Sequence, residues 1–166
     1  MKRGGQRGTV LLICMTLLML LGLFGLSAMQ VATQQQRMST NLQASLRAFE
    51  AAESLLRQAE GRLPAIGNAP CSFCLPPPEA EWVRPGRLPG GSGLSWQTAE
   101  SGLYLVQNLG QNKSATQMPE GLAVTLYRVT AVGLELEARV VLESIFAWPE
   151  LPGDVPARRI AWRQVF

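Results

Sequence analysis

Residues 9–29 read TVLLICMTLLMLLGLFGLSAM, roughly 21 residues without one charged side chain, which is the length a helix needs to cross the hydrocarbon core of a bilayer. Lys2, Arg3 and Arg7 stand before this run, and after it the next charge is Arg37. The positive-inside rule therefore places the start of the chain in the cytoplasm and everything beyond Met29 outside it. A cleaved secretory signal is the competing reading, with Ser27 and Ala28 as small residues near a cut. It fits less well, because a signal core runs about 7–15 residues and Leu26 is a poor residue three positions before the cut.

The same three basic residues carry the whole formal charge of +3; past Thr9, lysine and arginine balance the 12 acidic residues. The chain as a whole thus gives no basic surface of the kind that binds nucleic acid. Histidine is absent, which removes the commonest general base, the commonest metal ligand and the usual partner of a serine or cysteine nucleophile. At 166 residues there is room for one modest domain and an extension. No enzyme activity and no cofactor is expected.

Past Met29 the helical signal continues. No proline occurs before Pro64 and no glycine between Gly25 and Gly61, so a single helix is expected until Gly61 and Pro64 stop it. From Thr9 to Glu60 this is about 52 residues, or roughly 78 Å at 1.5 Å per residue. Leu42, Leu46, Phe49, Ala52, Leu56, Ala59 and Leu63 recur at spacings of three and four and form one apolar face, while Glu53 and Arg57 pair on another. That face is read as covered by the C-terminal domain, with a bundle seam against related helices as the other possibility.

Residues 63–101 are interrupted by Pro64, Pro70, Pro76, Pro77, Pro78, Pro85 and Pro89 and by Gly67, Gly86, Gly90, Gly91 and Gly93, the mark of an irregular connector. Strand-like runs follow at 102–109, 122–132, 136–147 and 159–166, with a hairpin turn expected at 133–135. Tyr127, Val129 and Ala131 alternate with Arg128 and Thr130, so one face of that strand is expected to be buried. The expected fold is α+β, a long N-terminal transmembrane helix whose outer half packs on a small antiparallel sheet. Its parts are a leader at 1–8, a membrane half at 9–29, an outer half of the helix at 30–62, a connector at 63–101 and a sheet domain at 102–166.

Cys71 and Cys74 form a C-x-x-C within PCSFCLPPP. A redox active site needs this spacing at a helix N-terminus, which the prolines deny; a zinc site needs four ligands, and the chain supplies half of them. In an oxidising compartment the expectation is a disulfide clasping the loop. Cys14 reads as a small apolar residue of the span, and Gly22 and Gly25 either as residues that permit close packing or local melting or as tolerated small residues of a lipid-facing helix. Arg158, Arg159 and Arg163 with Trp148 and Trp162 read as a solvated and a buried face of the last strand rather than a nucleic-acid patch. The pairs Glu79/Glu81 and Glu135/Glu137 read as solvated charge.

A basic leader ending in glycine (MKRGGQRG), an immediate apolar helix, its long polar extension and a small sheet domain together resemble a type IV prepilin. RGTVLLICMTLLMLLGLFGLSAMQ and RMSTNLQASLRAFEAAESLLRQAE resemble more narrowly the N-terminal region of PilX-type minor pilins, and YRVTAVGLELEARVVLESIFA and RRIAWRQVF resemble that group's hairpin and final strand. The resemblance is specific over about a third of the chain, near 7–60, and looser beyond. It implies the pilin lollipop fold, cleavage between Gly8 and Thr9 by prepilin peptidase and N-methylation of Thr9. The implied partners are other minor pilins, pilus assembly proteins and inner-membrane lipid; no specific nucleic acid is implied. Its implied location is the inner membrane with a periplasmic domain, and the pilus tip.

One position departs from the family pattern. Most prepilins carry a glutamate at the fifth mature residue, where Ile13 stands here. A carboxylate in lipid is costly unless it meets a cation, in pilins the N-terminal amine of a neighbouring subunit. A subunit lacking it is expected to enter the fibre first, or near first, and to sit at the tip. A type II secretion pseudopilin shares these features, but its glutamate-less member has a larger globular insertion; a signal-anchored periplasmic protein has no reason for a glycine directly before the span.

Overall fold

The computed structural model describes residues 7–63, 69–86, 93–150 and 155–165. Most of the leader, Pro64, Gly67, Pro89, Gly90, Gly91 and Phe166 therefore lie outside the described residues. Helix α1 spans Arg7–Arg62, a short 3-10 helix covers Pro78–Glu81, and five strands follow: β1 (Gln97–Ala99), β2 (Gly102–Asn112), β3 (Val124–Glu135), β4 (Ala138–Pro149) and β5 (Arg158–Gln164). The chain divides into two compact units, Met1–Leu42 and Gln43–Phe166.

In the first unit, the described residues form the leading part of α1. The helix is long and apolar enough to cross a membrane by length and composition. Its large apolar side chains, from Val10 through Met29, are exposed. The hydroxyls within the run are turned back on the helix: Thr16 donates to the Ile13 carbonyl at 2.9 Å and Ser27 to the Leu23 carbonyl at 3.0 Å. Each leaves no donor seeking water, which is what an apolar surrounding requires of it.

In the second unit, the five strands form an antiparallel meander in the order β1-β2-β3-β4-β5. The rest of α1 covers one face, where Ala48, Ala52, Leu55, Leu56, Ala59 and Leu63 meet Tyr104, Tyr127, Val129, Ala131, Val140 and Leu142. A fully buried leucine such as Leu56 contributes about 1.5–3 kcal/mol by leaving water. Of the apolar stripe expected from spacing, Ala52, Leu56, Ala59 and Leu63 are buried and Phe49 partly so, but Leu42 and Leu46 are exposed. The covered line runs instead through Ala44 and Ala48. The cause is a close approach: a Cβ placed at Gly133 would fall on the Ala48 carbonyl oxygen and the Ala52 backbone. Only small helix residues and a glycine in the sheet allow that separation, so the leucines are turned outward.

The other face is covered as well, where the alternation in β3 led to only one buried face being expected. Ala80, Val83 and Trp96 pack there on Leu103, Leu105, Val132 and Val141. These three come from residues 63–101, which also contribute β1, so the stretch read as irregular supplies an edge strand and a second layer. The β3–β4 turn falls at Leu136 and Glu137, not at 133–135, since Glu135 pairs with Ala138 and Gly133 pairs with Val140. Leu136 takes φ of 53°. A glycine inside the strand is required for helix packing, not for turning.

Candidate functional site

Gly8 and Thr9 lie in the first turn of α1, and Ile13 follows Thr9 by four residues, on the same face of the helix. All three are exposed. Among the described residues a Cβ at Gly8 would meet nothing within 4 Å, so none of them requires glycine there by close packing. Cys14 is a free, exposed thiol on the same stretch, and Gly22 and Gly25 are likewise open.

In the second unit, Cys71 and Cys74 are joined by a disulfide with Cα atoms 5.4 Å apart. The loop they close is bound at several points to the sheet. Beyond Tyr104, where pairing with β1 ends, the Cys71 amide donates to the Asn108 carbonyl of β2 at 2.8 Å. The Gln107 side-chain nitrogen donates to both the Phe73 and Leu75 carbonyls, at 2.7 and 3.0 Å. Arg128, directly opposite Gln107 on β3, donates to the Cys74 carbonyl at 2.6 Å. One step further, Arg139 of β4 donates to the carbonyls of Ala80 and Val83 at 2.9 and 2.7 Å. Burial, with the nearby charge of Arg84, holds the Arg139 guanidinium below its usual range.

The three terminal arginines are each engaged, so they form no free basic patch. Arg163 donates to Glu143, which also stands 3.5 Å from Arg128, and Arg158 donates to the Gln117 carbonyl at 3.4 Å. Arg159 reaches the other face: it donates through Nε and Nη2 to the two carboxylate oxygens of Glu60 and through Nη1 to Glu53. Hydrogen bonding to Glu60 holds its pKa above the usual arginine value against the opposing effect of burial. Ser144 completes this group by donating to Glu60 at 2.7 Å. The pairing of Arg57 with Glu53 expected on the helix is present at 3.2 Å.

Arg159 arrives there because β5 is bulged. Ala161 pairs with Ile145 and Arg159 with Phe146, leaving Ile160 as an extra residue. Without it, Arg159 would share the face of Ala161 and Arg163; one added residue reverses the alternation. Sequence spacing gave no signal for that bulge. Nor did it point to Gln107, Arg128 and Arg139 as loop-binding residues, since polar residues in a strand-like run read equally as solvated ones. Glu79 is a correction: it is 3 % exposed rather than solvated, and its carboxylate takes no hydrogen bond from the described residues. Glu135 pairs with Arg47 at 3.4 Å, while Glu81 and Glu137 are exposed.

No family model, curated protein or solved structure matches the chain. The functional reading therefore rests on its own residues and their arrangement. Among these, the disulfide-closed loop with Gln107 and Arg128 is a developed polar constellation, and its chemistry is that of holding a segment on the sheet. It has no nucleophile with a base beside it.

Proposed function

We propose that this chain is a minor pilin, made as a prepilin and acting in type IV pilus assembly with other minor pilins in a tip or initiation complex. The observation that carries the reading is the composition of α1. One unbroken helix, Arg7–Arg62, is bare and apolar where it begins and covered by an antiparallel sheet over its last turns. A simple membrane anchor needs only the first of these features. A helix that continues through both gives a subunit a membrane-soluble stem continuous in sequence with its folded domain.

On this reading prepilin peptidase cuts between Gly8 and Thr9 on the cytoplasmic side, and Thr9 becomes the methylated N-terminus. The scissile bond lies in the first turn of the described helix. The second unit is periplasmic, an oxidising compartment in which a disulfide persists. Ile13 offers no carboxylate to a neighbour's amine, which suits a subunit that enters first and has no subunit ahead of it.

The test is the intact mass and N-terminal sequence of the protein from membranes and from sheared pili, with and without prepilin peptidase. A chain starting at Thr9, heavier by one methyl group and dependent on the peptidase, is expected. A chain starting at Met1, or near Met29 regardless of the peptidase, would overturn the reading. For the tip position, Ile13→Glu is expected to disturb piliation; unchanged piliation with the protein spread along the fibre would remove it.

A further inference from the structure

We infer that the Cys71–Cys74 bond is a redox latch: a dithiol opens it, and opening frees residues 71–75 from β2 and β3 while the rest of the second face stays closed. This does not depend on the pilin reading; it follows from where the loop is held.

The loop is shaped by the bond. A single nitrogen of Gln107 serves two carbonyls two residues apart, Phe73 and Leu75, so the chain between them must curl around it. The disulfide supplies that curvature by keeping the Cys71 and Cys74 Cα atoms at 5.4 Å; the same three-residue span in an extended chain reaches about 10 Å. The Cys71 amide on the β2 edge and the Cys74 carbonyl on Arg128 lie at the two ends of the closed ring. Reduction frees both ends, and all four hydrogen bonds then rely on a chain with no local constraint. Residues 72, 74 and 75 are exposed, so little apolar burial holds the loop down once its hydrogen bonds loosen.

A second set of bonds stops the opening from spreading. Pro76, Pro77 and Pro78 follow at once and stiffen the path into the 3-10 helix. That helix is anchored separately, by Arg139 on the carbonyls of Ala80 and Val83 and by burial of Ala80 and Val83 against Leu103, Val132 and Val141. The division between a released part and a retained part therefore falls at the three prolines. The open state bares the β2 edge beyond Tyr104, which among the described residues the Cys71 amide covers at Asn108.

The chemistry is ordinary exchange. Cys74 is exposed and Cys71 half-buried, so an incoming thiolate attacks the Cys74 sulfur and displaces the Cys71 thiolate, forming a mixed disulfide. The second thiol of the attacking dithiol, as its thiolate, then attacks its partner sulfur and releases Cys74 as a thiolate. Two electrons pass to Cys71 and Cys74, and the dithiol leaves as a disulfide; the reverse closes the latch.

The test is hydrogen exchange of the full chain in detergent micelles, with and without dithiothreitol. Reduction is expected to raise exchange of the Cys71 amide, the loop donor held on β2, at least tenfold and to leave residues 80–83 and the β3 and β4 strands unchanged. Unchanged exchange at Cys71 would sink the latch, and a rise across the sheet would make the bond a staple of the whole fold. Gln107→Ala, with the disulfide intact, is expected to raise exchange of the Cys71 amide without raising it across the sheet; no rise there removes Gln107 as the catch. A thioredoxin-type dithiol with its second cysteine replaced by serine is expected to be trapped on Cys74, and trapping on Cys71 or on neither would overturn the direction of attack.

Discussion

Arg159 and Glu60 form a two-pronged ion pair between β5 and α1, with Nε and Nη2 at 2.8 and 2.9 Å from the two carboxylate oxygens. The residues are 99 positions apart in the chain, and the pair ties the last strand to the helix through the middle of the second unit.

Removing the cation leaves Glu60, 11 % exposed, with Ser144 as its hydrogen-bond donor. Arg159→Met is expected to lower stability by roughly 2–3 kcal/mol, less than a fully buried pair because Arg159 itself is 26 % exposed. Adding Glu60→Leu to that variant is expected to recover part of the loss, since no stranded carboxylate remains. Urea denaturation of the detergent-solubilised chain measures both, and a double variant weaker than Arg159→Met alone would contradict the account.

The close approach of helix and sheet predicts a sharp response at Gly133. Its Cβ would strike the backbone of Ala48 and Ala52 rather than a flexible side-chain tip, so the elements must separate. Gly133→Ala is expected to cost roughly 3 kcal/mol by overpacking. An exposed helix position such as Leu46→Ala is expected to change stability by no more than about 0.5 kcal/mol. Melting temperatures of the two variants, read side by side, check the prediction.

At the β3–β4 turn the geometry disfavours the residue present. Leu136 is 82 % exposed and holds a left-handed φ of 53°. Leu136→Gly removes the Cβ conflict and gives up almost no buried surface. A gain of about 0.5–1 kcal/mol is expected, the left-handed penalty less the greater freedom of glycine when unfolded. A lowered melting temperature for this variant would mean that Leu136 makes a stabilising contact.

Alkaline pH should act through Tyr127. Burial pushes its phenol above the ordinary value of 10.0. A pKa raised on folding gives stability that is complete below pH 10 and lost as pH climbs through the folded value. Chemical denaturation as a function of pH is expected to show stability falling above pH 10, and falling less steeply in Tyr127→Phe. Parallel curves for the two proteins would assign the alkaline loss to other groups.

These positions differ in how far the sequence disclosed them. The uncharged run, the uninterrupted helical stretch after it and the four long strands were all legible, because each is a local pattern. Absence of proline and glycine from 26–60 sets the helix, and β-branched and aromatic runs set the strands. The pairing of Glu53 with Arg57 was legible for the same reason, as neighbours one turn apart on one helix. Gly133 was misread, because a glycine between two strand-like runs signals a turn as readily as a close approach. The burial of Ala44 and Ala48 in place of Leu42 and Leu46 was equally invisible: periodicity shows that a helix has an apolar side, not which line along it meets the sheet.

By itself, then, the sequence determined a span-length apolar helix, its continuation to Arg62, an antiparallel α+β domain and a C-x-x-C spaced to close a small ring. Tertiary structure alone decided that the connector folds over the second face of the sheet, that Gln107 and Arg128 hold its carbonyls, and that Arg159 faces Glu60. The physical reason is that local conformation is set by each residue and its near neighbours, whereas facing is set by register between segments far apart. A single added residue at Ile160 is enough to turn Arg159 from one side of the sheet to the other.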